Sequence, residues 1–307
     1  MTDWHEYDDL PPLLRKLLKI MERAEKPELQ KRKQPGKGTF PFHIQHNITP
    51  AVIRTVVSEP HDLPHNLPFS ASTWHRVKAF VHQIGVLSPS GNLTCIGMRL
   101  KSLLQREPTL LGEAVHGHLY TLHRFNPEVR FSFAYSVICD WLWERRVVVV
   151  NSRVVAELVG VVVERGSTVY GIPPEEIAFS LNSVRGAFNW LKSLDPPVFE
   201  RDQSGKFRLF RRRKRCHPLI VLWALSAWWQ LNEIEIGEWV TWGSELEDFL
   251  NHCLLLEDGC AKIAVEVASG WQAWRSKIVE IQTEGQFLVA VRLNQPLGWG
   301  ELEGTRL

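Results

Sequence analysis

A chain of 307 residues, 44% of them hydrophobic, is long enough for two or three packed units, and no run in it approaches the ~20 apolar residues of a membrane-spanning helix. Lysine and arginine number 36 against 34 acidic residues, a formal net charge of +2, which excludes nucleic-acid binding by overall charge and leaves only local clusters to support it. Five scattered cysteines, Cys95, Cys139, Cys216, Cys253 and Cys260, form no CxxC pair, which speaks against a zinc ribbon or a disulfide framework. With an opening stretch, MTDWHEYDDL, that is too acidic and polar for a secretion signal, they set the expectation of a cytoplasmic protein.

Residues 1–38 read as an appendage. Asp9 caps a helix from Pro11 to about Ala24 with Leu13, Leu14, Leu17, Leu18 and Met21 on one side, and the run EKPELQKRKQPGKG ends it as a solvated linker. Residues 39–106 read as a winged helix-turn-helix domain. Thr49-Pro50 opens its first helix over Ala51–Ser58. Hydroxyl residues from Ser72 open a second, in which Val77, Phe80, Val81 and Ile84 recur at helical spacing until Gly85 stops it. Val86-Leu87 and Asn92-Leu93-Thr94 then flank Ser88-Pro89-Ser90-Gly91 as a short two-stranded wing, and a third helix starts behind Thr94. In such a unit the helix before the wing can enter the major groove, so Trp74, His75, Arg76 and Lys78 are candidate nucleic-acid contacts. His43 and His46, and His61 and His65, have spacings a metal can use on a helix. Both pairs sit in proline-bearing segments without a placed acidic partner, so ordinary loop or core histidines are expected, and no metal.

Residues 107–150 read as connecting helices, Pro108–His123 and a second from Asn126-Pro127 through Trp143. The first carries His116, His118 and His123; on the second, Asp140 and Glu144 sit four apart as a solvated edge. Residues 151–215 repeat the winged pattern: a valine-rich helix over Ser152–Glu164, a short helix opened by Pro173-Pro174, a third over Leu181–Leu194, then a hairpin of Pro197–Glu200 and Lys206–Phe210 around Asp202-Gln203-Ser204-Gly205. Arg185 and Asn189, on the helix that would read bases, join Lys206 and Arg208 on the hairpin as candidate contacts. The five consecutive cations Arg211, Arg212, Arg213, Lys214 and Arg215 repel one another unless solvated or facing an anion, and they extend that basic edge along a backbone. Residues 216–307 form a Trp-rich helical region. It has an all-apolar helix over Pro218–Leu231, helices from Glu245 to Leu255 and from Gly259 to Ser269, and a terminal hairpin of Ser276–Gln282 and Gln286–Leu293. Trp223, Trp228, Trp229, Trp239, Trp242, Trp271 and Trp274 crowd it, for core packing and partner contact rather than base stacking. The expected fold class is thus mainly α with small β-hairpins (α+β), built of tandem winged units and this helical end.

Phe40 and His43, then Gly85-Val86-Leu87, Leu93-Thr94 and Gly97, then Glu107-Pro108-Thr109-Leu110 with His116, make the chain resemble the prokaryotic family known as domain of unknown function 4007. Ile44 stands where that family has an acidic residue, and His46 where it has an aromatic one. The resemblance implies a component of DNA phosphorothioate modification or of linked phage-defence systems, acting on DNA beside sulfur-transfer and ATP-dependent partners, with a strand-nicking role suggested for some relatives.

No GxxxxGK[ST], GxGxxG, GxSxG or HExxH pattern is present, and no catalytic residue or cofactor is assigned. The leading expectation is a non-catalytic, DNA-binding subunit of a prokaryotic DNA-modification or anti-phage complex, with double-stranded DNA and other protein subunits as partners and no membrane. Two alternatives are a metal-dependent nickase or nuclease assembled from distant histidines and carboxylates, and a scaffold whose winged helices pack on protein alone.

Overall fold

In the computed structural model, which describes residues 40–44, 48–60, 71–201, 207–272 and 277–295, a two-residue strand β1 (Phe40–Pro41) precedes helices α1 (Pro50–Ser58), α2 (Ala71–Gln83) and α3 (Cys95–Arg106). Proline opens α1, where its missing N–H costs nothing. Gly85, at φ +73°, turns the chain out of α2, and Gly91, at φ +87°, turns it back. The expected wing is reduced to one bridge, Leu87 to Leu93. It cannot lengthen because Thr94 turns inward at once: its hydroxyl donates to the Gly85–Val86 turn and accepts from Gly97 N at 3.2 Å, capping α3.

After a 3-10 turn at Pro108–Leu110 come α4 (Leu111–Phe125) and α5 (Arg130–Arg145), the most extensively packed helix pair of the described residues. Strand β2 (Val147–Val149), α6 (Ser152–Tyr170), a 3-10 turn at Pro174–Glu176, strand β3 (Ile177–Ala178), α7 (Leu181–Leu191), β4 (Phe199–Arg201) and β5 (Phe207–Arg211) follow. Strands β2, β5 and β4 form an antiparallel sheet in that order, with Phe210 opposite both Val148 and Phe199. The last part holds α8 (Pro218–Leu231), β6 (Trp239–Thr241), α9 (Ser244–Leu254), α10 (Cys260–Gln272), β7 (Val279–Glu284) and β8 (Phe287–Leu293). Its sheet runs β6-β8-β7, so the expected terminal hairpin gains a third strand from the Trp239 region.

The chain is mainly helical with small sheets. Two features depart from the sequence-based division into units. Residues 40–44 join the second unit, since β1 pairs in parallel with β3 and Phe42 N bonds Ala178 O at 3.1 Å. And residues 107–150 are the centre rather than a connection. Every residue of α4 from Leu111 to Thr121 is buried, and α1, α3, α5, α7, α8 and α9 all pack on it. Glycines allow the closest approaches: a Cβ on Gly117 would lie 2.3 Å from the Trp223 ring of α8, and one on Gly112 2.7 Å from the Ser193 carbonyl behind α7.

A helix buried on every side must satisfy its polar side chains internally. His118 bonds Ile84 O at 3.0 Å, tying α4 to the end of α2. His116 bonds the Tyr135 hydroxyl and Cys253 O, each at 2.8 Å, tying it to α5 and α9. Burial pushes both imidazoles down to about 4. Below the ordinary histidine value the unfolded chain takes up protons that these sites refuse, so their contribution is complete above pH 6.5 and is lost as pH falls toward about 4. The shift of His118 alone corresponds to at most about 3 kcal/mol. Urea unfolding at pH 7 and at pH 4.5 should show a stability drop that His118→Gln makes smaller; an identical drop in the variant would remove His118 as its source.

Candidate nucleic-acid interface

In the second unit, α7 turns Val184, Ala187, Phe188, Trp190 and Leu191 inward. Phe188 meets Phe199 in a tilted contact with ring centres 5.3 Å apart, and Phe199 meets Phe210 edge-on at 5.7 Å, so an aromatic ladder sets the β4–β5 hairpin on the helix. The outer face of α7 carries exposed Leu181, Asn182 and Arg185, with Arg185 donating to Asn182 Oδ1 at 3.2 Å and Asn189 half-buried. Arg201 and Arg211 are exposed on the hairpin, Arg211 lying 3.5 Å from Glu200. Lys206 and the side chains of Arg208 and of Arg76 lie outside the described residues, as do residues 1–38, His46, His61, His65 and Trp274.

The run Arg211–Arg215 is not a continuous cationic edge. Arg213 is buried, its side chain 1% exposed, and its guanidinium forks onto Glu113 of α4, itself 0% exposed, at 2.5 and 2.9 Å. The same guanidinium donates to Leu254 O at 2.7 Å, and Asp195 N donates to Glu113 at 2.8 Å. The cause lies in the backbone: past β5 the chain pairs with the end of α9, Arg213 N to Leu255 O at 2.9 Å and Glu257 N to Arg213 O at 2.8 Å, which turns residue 213 inward. Burial alone would raise the Glu113 carboxyl, but the charge and hydrogen bonds of Arg213 hold it below the ordinary value. Burial likewise opposes the charge on Arg213, and Glu113 more than reverses that. Arg212 is also committed, 7% exposed, forking onto Asp258 at 2.8 and 3.0 Å with its guanidinium 4.7 Å from the Trp143 ring centre. The expected continuous edge is broken because the bridge to the end of α9 sets Arg213 against a buried carboxylate, while Arg212 beside it meets Asp258. Arg211, Lys214 and Arg215 remain on the surface.

In the first unit Trp74 is half-buried against the core and Lys78 half-buried, while His75 is exposed. His75, Ala79 and Gln83 line a cavity of about 440 Å³ whose far wall is Asn126 and Glu128–Phe131, ahead of and within the start of α5. Of the candidate contacts on α2, His75 lines this cavity, and Trp74 and Lys78 do not. His43 lies on the same cavity, 3.3 Å from the Ser183 hydroxyl.

One polar cluster had no signal in local spacing. Asp140, expected on a solvated edge with Glu144, is half-buried and accepts from the Tyr120 hydroxyl at 2.8 Å and from His252 Nδ1 at 2.9 Å. The His252 ring stacks on Trp143 at 3.9 Å, whose indole N–H donates to Leu256 O at 2.6 Å. Glu144 instead meets Arg165 at 3.4 Å. The carboxylate orients an imidazole, but burial pushes the neighbouring Cys253 thiol up to about 12, so no thiolate stands beside it. Among the described residues no three His, Cys, Asp or Glu side chains gather as a metal site.

These features define a mainly helical α+β chain whose core is stitched by a buried arginine. In comparison with known proteins, no family model, no curated protein and no solved structure matches it.

Removing one partner of a buried pair strands the other charge, so Arg213→Met should lower the unfolding free energy by roughly 3–5 kcal/mol. Glu113→Gln combined with Arg213→Met should cost less than the sum of the two single changes. Urea titration at pH 7 checks both; additive losses would mean that the two side chains are not coupled.

Proposed function

We propose that this chain binds nucleic acid, with duplex DNA as the favoured form, through the outer face of α7, the β4–β5 hairpin and the surface cations that follow it, as a non-catalytic subunit of a larger complex. The observation that carries the reading is the set of exposed cationic side chains on one helix-plus-hairpin unit and the segment behind it: Arg185, Arg201, Arg211, Lys214 and Arg215. A helix followed by a β-ribbon is a shape that lays side chains in a groove and tracks the adjoining phosphates. Compared with the sequence-based expectation the surface is smaller: Arg213 is withdrawn and Arg212 is engaged with Asp258. A place in a prokaryotic DNA-modification or phage-defence assembly rests on the motif resemblance alone.

The scaffold reading has its own support. Ile263, Val267 and Trp271 recur every fourth residue on α10 and are 56, 55 and 38% exposed, and Phe287, beside Lys262 of that helix, is 63% exposed. An apolar stripe of this kind suits a protein partner, and it is compatible with DNA binding through other residues.

Fluorescence anisotropy with a duplex oligonucleotide, titrated with salt, decides between them. The double charge reversal Lys214→Glu and Arg215→Glu should weaken binding at least tenfold and flatten the log–log salt slope by about 2, close to one unit per lost phosphate contact. A pure scaffold would show no steep salt slope and no effect of the reversal. Arg213 is left intact so that folding is not disturbed.

A further inference from the structure

The cations that remain near the sheet edge are arranged around a concavity rather than along a line. Arg146, Val147, Arg211, Arg212, Glu257 and Asp258 line a cavity of about 340 Å³ between the end of α5, strand β5 and the turn before α10. Three guanidinium groups meet two carboxylates there. Arg212 is fixed over the Trp143 ring and nearly buried. Arg146 reaches in from the residue that ends α5, at φ +62°, a backbone conformation that side-chain-bearing residues rarely adopt and that commonly marks a functional position. Its Nη2 lies 3.2 Å from Asp258 Oδ2, while its side chain is 72% exposed. Arg211, 57% exposed, touches Glu200 only at 3.5 Å.

Asp258 is half-exposed at the tip of a turn, yet two arginines converge on it, one of them through both of its terminal nitrogens. A guanidinium fork fits two oxygens of a phosphoryl group as well as it fits a carboxylate. We propose that Arg146, Arg211 and Arg212 form a binding site for a phosphoryl group, and that Asp258 holds one position of that site as an internal stand-in for the ligand's oxygens. Neither Arg146 nor Asp258 belongs to the α7–hairpin surface assigned above, so the site can be tested without it. The phosphoryl group can come from a nucleic-acid backbone or from a free phosphate compound, and the two sources are separable.

The experiment measures the affinity of the full chain for inorganic pyrophosphate by calorimetry and for a duplex oligonucleotide by anisotropy, in the wild type, Arg146→Gln, Arg146→Lys and Asp258→Asn. All of these positions are largely exposed, and thermal melting verifies that each variant folds. Loss of a charge-assisted fork should weaken pyrophosphate binding by roughly tenfold in Arg146→Gln, with Arg146→Lys in between. Asp258→Asn should strengthen binding several-fold, because the internal competitor is gone. Opposite signs for these two variants support the site. If neither wild type nor Asp258→Asn binds pyrophosphate at millimolar concentration, or if both variants change affinity in the same direction, the proposal is overturned. Where the opposite signs appear with duplex as well, the ligand is backbone phosphate; where they appear with pyrophosphate alone, it is a free phosphate compound. Loss of duplex binding in the Lys214 and Arg215 reversals, with pyrophosphate binding intact, separates the fate of this site from that of the α7 surface.

Discussion

Helix α4 is buried on all sides, and that single constraint organises the chain. A surface helix can leave its polar groups to water; this one has to find each of them a protein partner. It uses three. His118 takes the carbonyl at the end of α2, His116 takes Tyr135 of α5 and a carbonyl of α9, and Glu113 takes Arg213 from the segment behind the β4–β5 hairpin. These three residues latch different parts of the molecule onto one rod, and glycines at positions 112 and 117 let α7's end and α8 come close enough to seal it. The units that look separable along the sequence share a core.

The same constraint divides the basic run by role. Glu113 in the interior requires a cation, since an unpaired buried carboxylate would neutralise or unfold the site. The nearest run of arginines supplies it, and the geometry of an extended strand leaves the flanking side chains pointing elsewhere. Arg213 becomes a structural group, Arg212 becomes the fixed wall of a shallow cavity, and Arg211, Lys214 and Arg215 stay in solvent. A five-residue cluster that looks like one electrostatic feature is thus three. The interior pair gives the segment a fixed position, which is what a surface needs if it is to present cations in register to a polyanion.

Much of the secondary structure was legible. Caps, prolines and apolar spacing place α1, α3, α7, α8, α9 and the β4–β5 and β7–β8 hairpins within a few residues of their observed bounds. The first wing was over-read, because the turn chemistry of Ser88–Gly91 says nothing about how soon Thr94 will cap the next helix. Strand β6 was missed, since three residues carry too little alternation to register as a strand. The site was legible only in composition. Nothing local distinguishes Arg213 from its neighbours, because its partner is 100 residues away in sequence, and Asp140 finds His252 at a separation of 112. Arg146 lies past the helix expected through Trp143, and only the fold brings it to Asp258. Pairings of this kind depend on which elements become neighbours, and that information does not reside in spacing.

The central claim is that the Glu113–Arg213 pair makes the segment behind the hairpin part of the core rather than a surface strap. Native-state hydrogen exchange of the Arg213 and Glu257 amides, both bonded across that junction, tests it most directly. The account predicts that they exchange only with global unfolding, at the same free energy and with the same urea dependence as the amides in the middle of α4. Exchange through a smaller, urea-insensitive opening while α4 stays protected would contradict it.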